Sequence, residues 1–188
     1  MRIISGIFKG KKIFEPNDIK TRPLKDLTKE SIFNIVSHSK KFKIDLKNSV
    51  VLDLFAGVGS FGIECLSREV KKVIFVENYN GVLPILRKNL NNIKPIFNYE
   101  IFEKNAYEKD TFLKLINKFD IIFLDPPYKD KDLEKILNNI KETKILKESG
   151  IIIIHRHKKE IDTLPIDFKI IEEKKYGISK ILFLNFLN

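Results

Sequence analysis

Between residues 49 and 155 the chain alternates short, almost wholly apolar runs with stretches whose apolar residues recur every three or four positions. The runs at 50–55, 72–77, 119–125 and 151–155 are too short and continuous for amphipathic helices and predict buried strands, with a weaker one at 99–103. The stretches at 60–68, 80–91, 107–117 and 130–143 carry the helical period. Strand and helix in that order predict an α/β fold: a mostly parallel sheet with helices on both faces and right-handed crossovers. Two further strands, 168–174 and 181–186, are joined by YGIS at 176–179, which leaves no room for a crossover and demands antiparallel pairing. Ahead of the sheet, Ile32, Phe33 and Val36 predict a helix over 28–36. Residues 17–23 read as a loop, and β-prone runs at 3–8 and 12–14 flank KGKK, suggesting a small N-terminal β-hairpin.

A chain of 188 residues fits one domain, expected here over 1–188, with 1–26 as a basic extension and 27–188 as the core. Hydrophobic residues at 43% and charged residues at 32% describe a globular protein. The apolar run at 150–154 is far short of a bilayer span, and the first ten residues have no apolar stretch of signal-peptide type. The expectation is a soluble, cytoplasmic protein with no membrane partner. Cys65, the single cysteine, cannot pair within the chain, and no Cys/His spacing suits zinc, so no metal is expected and Cys65 is assigned to packing.

The charge is uneven. Through Lys47 there are twelve Lys and Arg against five Asp and Glu, a net +7 out of the +10 for the whole chain. This first quarter is the candidate contact for a polyanion, with Lys9, Lys11, Lys12 and Arg22 as its foremost cations; a merely solvated basic face is the alternative.

In an open α/β sheet ligands bind beyond the carboxyl ends of the strands. The residues there are Asp53 to Gly59, Glu77, Asn105 and Asp125. Gly57, Gly59 and Gly62 have the GxGxxG spacing; the first two would let the backbone approach a ligand, and Ser60 would cap the following helix. Glu77, twenty residues after Gly57, is placed to accept hydrogen bonds from two ribose hydroxyls. The acidic Asp53 just below the turn opposes a pyrophosphate and suits a cationic ligand. S-adenosyl-L-methionine has a sulfonium, an α-amino group, a ribose and no phosphate.

The stretch IIFLDPPYK at 121–129 adds the chemistry. Consecutive prolines hold the backbone extended, so the Asp125 carboxylate and the Pro126 carbonyl project rigidly. Two such acceptors could hold both hydrogens of an exocyclic amine on a nucleobase, aim the nitrogen lone pair at a methyl donor and stabilise the charge that develops. Tyr128 would stack on a base that is unpaired or flipped out.

With both FAGVG and DPPY in place, the sequence resembles the SAM-dependent class I methyltransferases with a Rossmann-like fold, and more closely the RsmD family, which methylates guanine N2 in small-subunit (16S) ribosomal RNA. The matching stretches run from RIISGIFKGKKI at the start through TRP at 21–23, ESIFNI at 30–35, LDLFAGVGSFGIE, FVE at 75–77 and FLDPPY to YGISKILF. The resemblance implies a seven-stranded sheet with one reversed strand at its end. It further implies Phe55, Ala56, Gly57 and Ser60 lining the SAM site, Glu77 holding the ribose, and Asp125, Pro126 and Tyr128 gripping the guanine. The N-terminal hairpin and TRP loop would contact RNA, and the expected substrate is ribosomal RNA within a small-subunit particle, acted on by a monomer. Two departures stand out: Asn105 before Ala106 where the family has Asp, implying weaker SAM binding, and His155-Arg156 where the family often has Glu-His. The histidines His38, His155 and His157 are expected to face solvent or RNA. Open alternatives are an adenine-N6 methyltransferase, an NAD-linked oxidoreductase, which leaves DPPY unused, and a non-catalytic RNA-binding module.

Overall fold

The computed structural model describes residues 1–16, 24–127 and 130–187. Its elements run α1 (Asp26–His38), β1 (Val50–Leu54), α2 (Ser60–Ser67), β2 (Lys72–Val76), α3 (Leu83–Asn91), β3 (Tyr99–Phe102), α4 (Lys109–Leu113), β4 (Phe119–Leu124), α5 (Leu133–Thr143), β5 (Leu146–His157), β6 (Phe168–Tyr176) and β7 (Ser179–Phe186). Seven strands form one sheet in the order β3-β2-β1-β4-β5-β7-β6. The first five are parallel; β7 is antiparallel to both β5 and β6. This is the seven-stranded sheet that the resemblance implies, with its reversed strand where the YGIS turn requires it. Gly177 takes φ 57° at the first position of the two-residue turn between β6 and β7, where a tight hairpin calls for glycine.

The two-residue period of the strands divides the core into two layers. Val51, Val73, Phe75, Ile121, Phe123, Ile151 and Ile153 point to one face and pack with α1, α2 and α3. Leu52, Ile74, Ile122, Leu124, Ile152 and Ile154 point to the other and pack with α4 and α5. Each such side chain contributes about 1.5–3 kcal/mol by leaving water. Phe61 of α2 stacks on Phe123 of β4 at 4.0 Å between centroids, and Cys65 is fully buried in the same layer, where desolvation pushes its thiol well above the usual range. No helix among the described residues is long and apolar enough to cross a membrane.

Several elements are shorter than the sequence pattern suggests. The Asn105 side chain accepts a hydrogen bond from the Tyr107 N–H at 3.0 Å, making a side-chain turn that delays α4 to Lys109. The N-terminal hairpin is reduced to a chain reversal with one antiparallel bridge, Arg2 to Lys12. Its cause is a competing acceptor: the Glu64 carboxylate takes the N–H groups of Ile4 and Ser5 at 2.7 and 2.9 Å, and Ser67 takes those of Ile7 and Phe8. The reversal is thereby docked on α2 instead of extending as a ribbon. The expected loop at 17–23, Arg22 included, lies outside the described residues.

Glu64 and Lys29 are both fully buried, 3.7 Å apart. Lys29 Nζ also donates to the Arg2 carbonyl at 2.9 Å and to Ser60 Oγ at 3.3 Å, and Arg68 Nε donates to Glu64 at 2.9 Å. Burial lowers the Lys29 pKa from its ordinary value, and the neighbouring Glu64 opposes that shift. Breaking a buried pair strands the remaining charge. Glu64→Ala is therefore expected to cost about 3–5 kcal/mol, a fall in Tm of roughly 6–20 °C by calorimetry, with faster amide exchange at Ile4 and Ser5.

Candidate active site

β1 feeds β2 and β3 on one side, while β4 and β5 lie on the other, so the order of the sheet reverses between β1 and β4. Such a reversal separates the connections above the strand ends and leaves a crevice. A cleft of about 540 Å³ opens at this point, a size usual for small-molecule sites. Asp53, Phe55, Ala56, Gly57, Ser60, Glu77, Asn105, Ala106, Asp125 and Pro126 all line it. Tyr128 lies outside the described residues.

The loop after β1 needs unusual backbone: Phe55, Gly57 and Gly59 have φ of 61°, 56° and 84°. At Gly57 a Cβ would meet no close neighbour, and the bare backbone faces the cleft. Gly59, expected to approach a ligand, does not line the cleft; a Cβ there would stand 2.5 Å from the Leu86 side chain, so its glycine serves packing against α3. Gly62 likewise lets α2 sit on Phe75, with 2.3 Å to the ring. Ser60 does not cap α2 as expected. The N-cap position is Gly59, without a side-chain bond, and Ser60 Oγ instead accepts from Lys29.

Glu77 holds the loop in place. Its Oε2 accepts the Gly57 N–H at 2.8 Å, and Oε1 accepts those of Asn78 and Tyr79 at 2.9 and 2.8 Å. A carboxylate has about four acceptor positions, so three main-chain bonds leave capacity toward the cleft. Asp53, 1% exposed, accepts the Gly62 N–H at 2.9 Å. Burial pushes its carboxyl well above the usual carboxylate range, and the charges of Asp125 and Glu77 add to that effect while the Gly62 bond opposes it. A basic protein thus carries an acidic cleft. The Gly57 amide, which a pyrophosphate would need, is committed to Glu77.

On the opposite wall, Pro126 is buried and Asp125 is 24% exposed at its side chain. Asp125 Oδ1 lies 2.9 Å from His155 Nδ1, and His155 Nε2 lies 2.9 Å from Ser179 Oγ. His155 was expected to face solvent or RNA; its side chain is 11% exposed and lines the cleft. The correction follows from register, because Leu124 pairs with Ile154 and the next residues on both strands stand side by side. Arg156, whose neighbours point to the other sheet face, is buried too; it donates to Asp162 at 2.8 Å and to the Asp130 carbonyl at 2.7 Å. Lys180 joins them through Asp162 at 3.3 Å.

Tyr107 is a lining residue that the sequence reading passed over. Its ring meets Phe55 at 5.1 Å between centroids, and its hydroxyl donates to Asp130. Burial and that hydrogen bond push the phenol above its ordinary range, so it stays a neutral donor. The signal was available, since Tyr107 follows the Asn105-Ala106 pair at the end of β3.

The basic candidates lie on the N-terminal segment. Lys11 Nζ donates to the Asn92 carbonyl at 2.9 Å and stands over the Phe8 ring, while Lys9 and Lys12 are exposed. Phe14 carries Lys12 and, from α3, Lys88 over its ring at 5.9 and 4.0 Å. Lys88 extends the cationic surface beyond the first quarter of the chain.

Residues 1–185 match the family described as conserved hypothetical protein 95. The ribosomal RNA small subunit methyltransferase D of Haemophilus influenzae is 33% identical over 95% of this chain and 90% of its own. The protein of the same name from Buchnera aphidicola, the aphid Acyrthosiphon pisum subspecies, is 34% identical over 92% of this chain and 86% of its own. Among solved structures, the Escherichia coli protein yhhF superposes with a TM-score of 0.81 at 27% identity, covering 99% of this chain and 97% of that one. With the strand order, the acidic cleft and the Asp125-Pro126 turn agreeing with the match from one end to the other, the chain belongs to the conserved hypothetical protein 95 family, the RsmD methyltransferases.

Proposed function

We propose that this S-adenosylmethionine-dependent ribosomal RNA methyltransferase of the RsmD family places its methyl group on the exocyclic N2 of a guanine in small-subunit RNA. The observation that carries the reading is the presence of Asp125 and Pro126 in the same cleft as Asp53 and Glu77.

Bound in the cleft, S-adenosylmethionine supplies a methyl group made electrophilic by the sulfonium. The acidic lining fits such a cation, and the commitment of the Gly57 amide to Glu77 argues against a dinucleotide. In this reading Glu77 holds the ribose through its one remaining acceptor position, while the paired rings of Phe55 and Tyr107 border the adenine from one side. Asn105 and Ala106 border that base, with Asn105 Oδ1 already accepting the Tyr107 N–H. Ala56, Gly57 and Ser60 line the remainder of the cofactor's path, and Asp53 balances its positive charge.

Asp125 Oδ2, which makes no hydrogen bond to a described residue, and the Pro126 carbonyl accept hydrogen bonds from the two amine hydrogens, one of which leaves as a proton through Asp125 or water once the nitrogen carries the methyl group. Their acceptance orients the lone pair and opposes the positive charge that builds on nitrogen. Tyr128 stacks on the guanine. Lys9, Lys11, Lys12 and Arg22 contact the RNA, joined by Lys88, and the substrate is a small-subunit particle met in the cytoplasm by a monomer.

Asp125→Ala should lower methyl transfer by roughly 10²–10³-fold in a labelled-SAM assay while calorimetric SAM affinity stays nearly unchanged; mass spectrometry of the nucleosides should show N2-methylguanosine. Methylated adenosine instead would overturn the base assignment. Because Asp53 is protonated above the normal carboxylate range and a cation favours its ionised form, SAM affinity should rise with pH through that titration, with proton release on binding. Asp53→Asn should flatten the dependence, as calorimetry in buffers of different ionisation enthalpy would show. Replacing Lys9, Lys11, Lys12 and Arg22 together should reduce the slope of log K against log salt by about 3; an unchanged slope would move the RNA surface elsewhere.

A further inference from the structure

Asp125, His155 and Ser179 form a hydrogen-bonded line at the wall of the cleft, with both contacts at 2.9 Å. The sheet builds it. His155 closes the parallel run of β5 beside the end of β4, and across the antiparallel ladder it pairs with Ile181. Ser179, two residues before Ile181, shares that face. His155 is 11% exposed at its side chain, and Ser179 is 5% exposed, so water does not compete freely for either contact.

Donor and acceptor roles follow from the chemistry of the groups. An ionised Asp125 only accepts, so the facing Nδ1 must carry hydrogen. In the neutral ring Nε2 is then an acceptor, and the Ser179 hydroxyl is the donor beside it. Asp125 Oδ1 is thereby occupied, and the carboxylate cannot rotate without breaking that bond. Oδ2 is left free for another donor, and Asp125 lines the cleft.

We propose that His155 is a positioning residue for methyl transfer: held by Ser179 in its Nδ1–H tautomer, it fixes the Asp125 carboxylate so that Oδ2 meets the target amine. The proposal rests on Asp125 being the acceptor for that amine. His155 acts on the amine through Asp125, to which its ring is bonded, so its contribution falls on turnover and not on cofactor binding.

Variants at two positions separate this role from simple packing. His155→Ala should lower kcat by between about 10- and 100-fold, the scale expected for a misplaced reactive group, with the KM for SAM unchanged. His155→Asn, whose amide nitrogen can stand where Nδ1 stood, should recover most of the loss. His155→Gln, whose amide reaches the Nε2 position, should not. Ser179→Ala should weaken kcat by a smaller factor. Recovery by Gln in place of Asn, or full turnover in a folded His155→Ala protein, overturns the proposal.

A spectroscopic measurement on the unaltered protein covers the case in which these variants fail to fold. Nitrogen-15 correlation spectra should show hydrogen on His155 Nδ1, and a ring protonated on Nε2 alone would sink the idea. Inactive Asp125→Ala beside fully active His155→Ala refutes the positioning role and leaves the amine-acceptor reading standing. Full activity in both refutes that reading as well.

Discussion

The carboxylate of Glu77 binds three main-chain N–H groups, and the geometry of the cleft depends on it. One bond reaches back to Gly57 in the loop after β1, and two secure the turn after β2. Two segments that approach from neighbouring strands are joined at the rim by a single side chain. Hydrogen bonds to a charged group are worth more than neutral ones, about 1.5–3 kcal/mol each. That helps Phe55 keep a left-handed backbone, a conformation costly for a residue with a Cβ, beside Gly57, which adopts it freely.

Around this joint three carboxyl groups meet because β1, β2 and β4 are adjacent in the sheet and end on the same side. Their proximity raises the Asp53 pKa on top of the effect of burial. A cationic ligand relieves that repulsion, whereas a phosphate would increase it. Three carboxyl groups against one cation, Lys104, thus line the cleft of a chain that as a whole carries +10.

Much of this was legible in the sequence, because strand ends follow from hydrophobic pattern and strand ends place Asp53, Glu77, Asn105 and Asp125. At Gly59 the GxGxxG spacing does not tell a glycine that admits a ligand from one that admits the Leu86 side chain, which the structure sets against it. The hairpin was overextended because local β propensity says nothing of Glu64, an acceptor about sixty residues away that captures its amides. His155 escaped assignment for a related reason: its partners arise from the register of three strands, and only the pairing of Leu124 with Ile154 sets it beside Asp125. Arg156 points the other way by the two-residue period, and its partner Asp162 sits in the connection after β5, where no pattern marks it.

The reversed strand β7 contributes more than closure of the sheet. Its adjacent residues Ser179 and Lys180 project to opposite faces, one supporting the ring behind Asp125 and the other reaching Asp162, which engages the Arg156 that grips the Asp130 carbonyl. Asp125 and Asp130 are thus both braced by a single dipeptide from the far side of the chain. The parallel strand β5 supplies His155 and Arg156 as the direct holds on Asp125 and Asp130; running the last strand backwards delivers its first residues to the rim behind them, making the terminal hairpin a buttress for that wall of the cleft.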